Sequence, residues 1–436
     1  MNQDNNINKD KLEQEKENRK LLIKSYIERL SQGEDLEVVR KEFVENFKAV
    51  DASEIVIAEQ ELIKSGVAIK DVQRLCDVHS ALFHGMTSEE KSLSEKVKVD
   101  VDTSFSNELN DEKTSINLRE IPGHPIKVFM DENDILESKI DSIRELASKD
   151  NIGELMEGLQ DLRLGLKSHY SKKGDLIYPL LSTNYSFSGP SNVMWGVDGE
   201  IRDEFAAIVG LGTKLDDLNE KIITVLNRAK EMIYKENNIL FPLCIDKFSE
   251  EVWMRIYYEM FDYDTLLGDY QIWDQAEEKR EELKVIGGKL ARDCKEEVDE
   301  KQDIVLGTGH MTVEQILAVL NTIPMELTFI DDKDTNRFFS DHTPLFKRPS
   351  MAIGRDFKSC HPPKAAYFAG NIIEEFRSGR RDKYEFFRYL NDKPVYIRYL
   401  AVRDENGKYL GTLEAVEELD YAQKHFTTRK RRDTNL

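Results

Sequence analysis

Cys360 and His361 stand directly ahead of two prolines, Pro362 and Pro363. Proline suits the first turn of a helix, where a backbone N–H has no partner to lose. The Cys360 thiol is thereby expected just before a helix N-terminus, where the dipole favours thiolate and lowers the thiol pKa. His361 offers an imidazole nitrogen that suits haem iron or another metal. The competing reading is that Ser359 or its neighbours cap the helix and His361 packs. Cys76 and His79 lie three apart on one helical face. They are half of a structural zinc set, or else Cys76 is a small buried hydrophobe. There is no Walker-type Gly-rich loop, no Gly-x-Ser-x-Gly and no His-Glu-x-x-His. Without a recognisable catalytic motif the chain is not expected to be an enzyme.

The elements that position these residues divide a chain of 436 residues, long enough for several domains. The net charge of −21 repels the polyanionic surfaces of nucleic acid and anionic membrane. Arg429–Arg432 is the only basic run and reads as a solvated tail. No apolar run approaches a membrane span, and the first residues, MNQDNNINKD, lack a secretory apolar region. Four widely spaced cysteines suit a reducing compartment. A cytoplasmic location is expected.

Residues 1–17 are polar and read as a disordered tail. Apolar residues at helical spacing (Leu22, Tyr26 and Leu30, then Leu36, Val39, Phe43 and Phe47) open an all-helical module over 18–92. Residues 93–121 lose periodicity and read as a linker. Ile126, Phe129, Asn133, Leu136, Ile140 and Ile143 line one helix, and Leu155, Leu159, Leu162, Leu166 and His169 the next. Further helices over 193–211 and 215–237 complete an antiparallel four-helix bundle within 122–250. Residues 251–310 read as a charged, partly helical connector. From about 311 the pattern turns strand-like. Strands are expected at 327–330, 337–339, 384–390, 395–402 and 409–417, with a helix over 363–378 and a hairpin turn at Asn406-Gly407. This gives an α+β domain with a five-stranded antiparallel sheet over 311–422, then a basic tail over 423–436.

Several segments resemble an uncharacterised bacterial family that joins a domain of unknown function, a hemerythrin-like (HHE cation-binding) bundle and a PAS domain. Gln73–Phe83 looks like the first domain. Gly123-His124-Pro125, His169-Tyr170, Met194–Val197 and Asn238–Pro242 look like the bundle. Gly354-Arg355, Ser359–Lys364 and Val402–Glu414 look like the PAS domain. The resemblance covers most of the chain in one order.

It implies non-haem iron between the bundle helices, with His124 and His169 in place and Asp198 and Glu236 as helpers. The set is degenerate. Lys173 stands where a carboxylate is usual, with Gly174 after it and Asp175 as the nearest acid. Met232 stands for a histidine, and Asp198 for another. A cofactor-free bundle is therefore as open as an iron site. For the PAS domain the resemblance implies a small ligand, haem or a redox signal at Cys360 and His361. The function expected is a sensor or signal relay with a protein partner or a homodimer. The alternatives are a non-haem iron protein binding oxygen or nitric oxide, and a cofactor-free scaffold.

Overall fold

A computed structural model describes scattered positions between 18 and 46, then 118–280, short strands within 285–306, and 309–430, with brief gaps at 148–150, 185–187, 213–216, 342–344 and 391–392. Cys76 and His79 lie outside the described residues. The chain divides into two compact units.

In the first unit, helix α1 (Pro125–Ala147) buries Ile126, Phe129, Leu136, Ile140 and Ile143 along one stripe. Helix α2 (Ile152–Leu176) buries Leu155, Leu159, Leu162 and Leu166, again alternating four and three. Each such side chain taken from water contributes about 1.5–3 kcal/mol. A short helix α3 (Tyr178–Asn184) leads to α4 (Ser188–Leu211) and α5 (Leu218–Lys235), which runs on through a π-helical turn, Glu236–Leu240, into α6 (Phe241–Lys247). Exposed ion pairs tie helices at their rims, among them Lys230 to Asp141 at 3.0 Å and Lys139 to Asp161 at 2.6 Å.

The bundle takes in more chain than the boundary at 250 read from the sequence. Thr265–Trp273 belongs to it. The reason is a close backbone approach at the head of α1: a Cβ on Gly123, whose φ is +73°, would stand 2.5 Å from the carbonyl carbon of Ile272. Only glycine permits both that conformation and that distance. The charged look of 251–310 hid this return.

The second unit contains the last turns of α2 from Ser171, α3 up to Thr183, helices α7 (Glu250–Met260) and α8 (Asp274–Glu278), and everything after. Two small hairpins, β1–β2 (Val285–Ile286, Lys289–Leu290) and β3–β4 (Asp303–Leu306, Gly309–Thr312), precede helix α9 (Val313–Thr322). Strand-like pattern was expected from 311, but a helix intervenes. Thr312 caps it: the Gln315 N–H donates to Thr312 Oγ1 at 3.2 Å, and the Thr312 N–H to Gln315 Oε1 at 3.0 Å. This capping box was present in the sequence as T-x-x-Q.

The main sheet has the order β6-β5-β9-β8-β7, all antiparallel: β5 (Glu326–Asp331), β6 (Asn336–Phe339), β7 (Lys383–Leu390), β8 (Lys393–Arg403) and β9 (Tyr409–Glu418). Helix α10 (Pro363–Arg377) covers one face: its Ile372 and Phe376 pack with Tyr409, Tyr384, Tyr399 and Ala401. A last helix, α11 (Asp420–Lys430), follows β9. The strands, the covering helix and the turn at Gly407 fall within a residue or two of the sequence expectation. Among the described residues no helix is long and apolar enough to cross a membrane.

Candidate functional site

The bundle centre is built on three side chains from three elements. His169, on the α2 stripe, places Nδ1 2.9 Å from Glu132 Oε2 and Nε2 2.9 Å from Glu236 Oε2, and all three side chains are wholly buried. Glu132 comes from α1 and Glu236 opens the π-helical turn. Glu132 is further held by the Thr265 hydroxyl at 2.9 Å and the Leu266 N–H at 3.3 Å. An ionised carboxylate only accepts hydrogen bonds, so a ring flanked by two of them donates from both nitrogens as imidazolium. Burial acts to lower the His169 pKa, but Glu236 and Glu132 together outweigh it and hold it raised.

Asp198 is buried on α4, and its charge, like that of Glu236, adds to the burial that drives the Tyr170 pKa far up. His124 has a different task. It precedes Pro125, and its Nδ1 accepts the Ile126 N–H at 3.2 Å, capping α1. Its ring meets the Trp273 indole edge-on, with centroids 4.6 Å apart. Burial lowers its pKa to about 3, so the ring is neutral.

The family-implied iron can be tested against these groups. His169 is an imidazole with both nitrogens engaged, and a metal ligand needs one free lone pair. Lys173, one turn on, is buried and cannot ligate as an ammonium, and Met232, one turn before Glu236, is buried as well. Among the described residues no group of three or more His, Cys, Asp or Glu side chains is placed to hold a metal ion. Asp175, the nearest acid after Lys173, accepts the Tyr263 hydroxyl at 2.9 Å. The donor set does not fit a di-iron centre. Full-length chain purified without an affinity tag is accordingly expected to carry iron far below one atom per chain. Stoichiometric iron that disappears in His169→Ala would overturn this.

The second candidate lies on the α10 face of the sheet. One rung crosses all five strands: Phe339 opposite Thr328, Thr328 opposite Glu414, Glu414 opposite Tyr399, and Tyr399 opposite Tyr384. The Tyr399 hydroxyl donates to Glu414 at 2.8 Å. Arg348 reaches in from the loop after β6, 3.1 Å from Glu414 and 3.7 Å from Glu326, with Phe339 and Phe346 rings each 5.7 Å from its guanidinium carbon. Burial raises the Glu414 pKa, but Arg348 and Tyr399 prevail and hold it lowered. Burial prevails at Glu326, which is raised despite backbone N–H donors from Leu345 and Phe346. The Thr328 hydroxyl and the Arg348 Nε–H are buried without a hydrogen-bond partner among the described residues.

Cys360 ends a 3₁₀ turn, Phe357–Cys360, and its thiol is pushed up by burial, against the smaller pull of Ser359 and Arg355. The lowered pKa expected from a helix dipole is corrected: the thiol sits before the N-cap Pro362, outside the first turn, and desolvation wins. His361 Nδ1–H donates to the Phe357 carbonyl at 2.6 Å. That leaves Nε2 as the acceptor, the orientation of a ligating histidine. Haem nevertheless does not fit the face beside it. Ile373 already packs with Ile330 and Phe357, and two carboxylates and a guanidinium occupy the neighbouring rungs.

Glu132, Thr328, Arg348, Tyr399 and Glu414 were not singled out in the sequence. The signal for Glu132 was the polar pair Glu132-Asn133 inside an apolar stripe. For Thr328 and Glu414 it was a polar residue on the inward phase of a strand.

Three family models match in this order: the family of unknown function DUF438 at residues 23–89, the hemerythrin HHE cation-binding domain at 124–244, and a PAS domain at 316–420. The chain thus combines these three domains in that order. Its domain combination is that of a sensor-type protein. Among solved structures, a C-terminal domain from Streptococcus mutans shares 33% identity over 29% of this chain and 98% of that one, with a TM-score of 0.28. The PAS domain of Bordetella pertussis BvgS shares 16% over 28% and 93%, with a TM-score of 0.20. The Aer2 receptor from Vibrio cholerae, described as a dual PAS-heme oxygen sensor, shares 14% over 22% and 94%, with a TM-score of 0.18. No curated protein matches the chain.

Proposed function

We propose that the PAS domain receives a small polar ligand on its α10 face and that the chain relays its presence to a protein partner. The observation that carries this reading is a pair of unmet donors: the Thr328 hydroxyl, on a rung otherwise closed by Tyr399 and Glu414, and the Nε–H of Arg348, which reaches Glu414 from the loop after β6. A buried donor without an acceptor costs about 1–3 kcal/mol. A ligand bringing a carbonyl or carboxylate oxygen removes that cost. Glu414 and Glu326 limit its negative charge. His361 and Cys360 border the site through the turn that precedes α10.

A route outward begins at Arg348. Two residues on, the Ser350 N–H donates to Glu259 of α7 at 2.9 Å, and the Ser350 hydroxyl donates to the same carboxylate. A ligand that draws Arg348 off Glu414 acts on the loop anchored at Glu259.

Native mass spectrometry of the full chain, taken directly from cell lysate, tests the reading. The expected result is a bound organic molecule of constant mass that is lost in Arg348→Met and reduced in Thr328→Val. A chain that travels free of ligand, and whose unfolding temperature no polar metabolite extract raises, would leave the sensor reading without support.

A further inference from the structure

The opposite face of the same sheet carries a second site. Between the end of helix α9 and this face lies a hollow of about 480 Å³. Its floor is two rungs of outward-phase residues: Phe338–Phe329–Leu413–Leu400, and Leu327–Ala415–Arg398. Leu320 of α9, with Ile323 and Met325 just after the helix, completes the lining. Although α9 reads VEQILAVLNT, none of its residues is buried. An apolar helix set over an apolar floor would ordinarily close onto it; here the space between remains, within the range of small-molecule sites.

One charged side chain lines this space. Arg398 is among the lining residues, and its Nε–H is buried with no hydrogen-bond partner among the described residues. Elsewhere on the guanidinium, Nη2 donates to Glu417 at 3.0 Å and to Met325 Sδ at 3.0 Å, and its carbon lies over the Tyr396 ring, 4.7 Å from the centroid. The unmet donor therefore belongs to a guanidinium whose charge Glu417 already balances. A carboxylate ligand would meet Glu417 as a like charge, whereas a neutral carbonyl oxygen would not.

We infer that this hollow binds a neutral, largely apolar carbonyl compound, its hydrocarbon body between α9 and the sheet and its oxygen on Arg398 Nε–H. This site is separate from the one on the α10 face, and the phase of the strands keeps the two apart: no residue of the Thr328–Glu414–Tyr399 rung lines it.

The test is a titration of full-length chain, methyl-labelled at Ile, Leu and Val, with 2-nonanone, followed by NMR. Saturable shifts are expected at Leu400 and Leu413, with Ile330, Ile372 and Ile373 unmoved. Arg398→Lys keeps the charge beside Glu417 but removes the Nε–H, and should weaken binding ~10-fold. Leu320→Trp, at a half-buried position, should fill the hollow and abolish the saturable shifts. Retention of the remaining methyl dispersion would show that each variant is folded. Nonanoate should bind more weakly than the ketone. The inference is overturned by shifts confined to the α10-face isoleucines, by no saturable shift up to the ketone's solubility, by affinity that neither variant changes, or by nonanoate binding as well as 2-nonanone.

Discussion

His169→Leu is expected to destabilise the bundle by about 3–5 kcal/mol, because it removes the ring that both Glu132 and Glu236 engage in a dry interior. Neither carboxylate reaches water, and neither gains a new donor from leucine. The measurement is urea unfolding of a Trp253→Phe chain, read by tryptophan fluorescence, since the other two tryptophans, Trp195 and Trp273, lie in the bundle's unit. Adding Glu236→Leu to the same chain should recover part of the loss, since it removes one of the two carboxylates that the ring engaged, while Glu132 keeps its donors from Thr265 and Leu266. A loss below about 1 kcal/mol in the single variant would mean that the ring is no counter-charge. Equal loss in single and double variants would mean that the effect is packing alone.

The bundle is also expected to weaken steeply in acid. His124 has a folded pKa of about 3 against the ordinary 6.5, because burial disfavours the imidazolium. As pH falls below 6.5 the unfolded chain takes up a proton that the folded chain refuses until about pH 3. Stability is therefore lost with falling pH across that window, by an amount on the order of 5 kcal/mol. Protonation would also remove the Nδ1 lone pair that accepts the Ile126 N–H, so the cap and the charge fail together. His124→Asn keeps a capping acceptor and cannot titrate; its stability should be flatter between pH 6 and 4 than that of the parent chain, with carboxylate titrations common to both. His169 has the opposite sign. Its raised pKa gives a contribution complete below the unfolded value of 6.5 and lost as pH rises through the folded pKa. An unchanged acid limb in His124→Asn would refute the assignment.

The stripes of α1 and α2 were legible because each apolar position recurs at a helical interval, and His169 was legible because it continues one. Glu132 was not. A carboxylate beside Asp131 and Asp134 on an amphipathic helix reads as part of a solvated face, and only the folded bundle shows it turned inward. The sheet was legible strand by strand, since alternation and the Asn406-Gly407 turn fix both period and connection. Helix α9 was missed because its apolar residues sit too densely for one face to stand out, and the capping box at Thr312 was the only local evidence. The pairing that makes Thr328, Glu414 and Tyr399 neighbours joins residues far apart in the chain, which no local pattern contains. The thiol of Cys360 was misjudged for a related reason: sequence places it near a helix end but does not report its burial.

The strand order has a consequence for how the second unit is made. β9 is the last of this sheet's five strands to leave the ribosome, yet it lies at the centre, paired with β5 on one side and β8 on the other. Until it emerges the nascent chain holds two separate hairpins, β5–β6 and β7–β8, each with one open edge more than it has in the finished sheet. Such edges recruit strands from other chains. A ribosome stalled before Tyr409 would thus release two sticky half-sheets instead of a nearly complete domain, and the final ten-residue strand, Tyr409–Glu418, closes both at once.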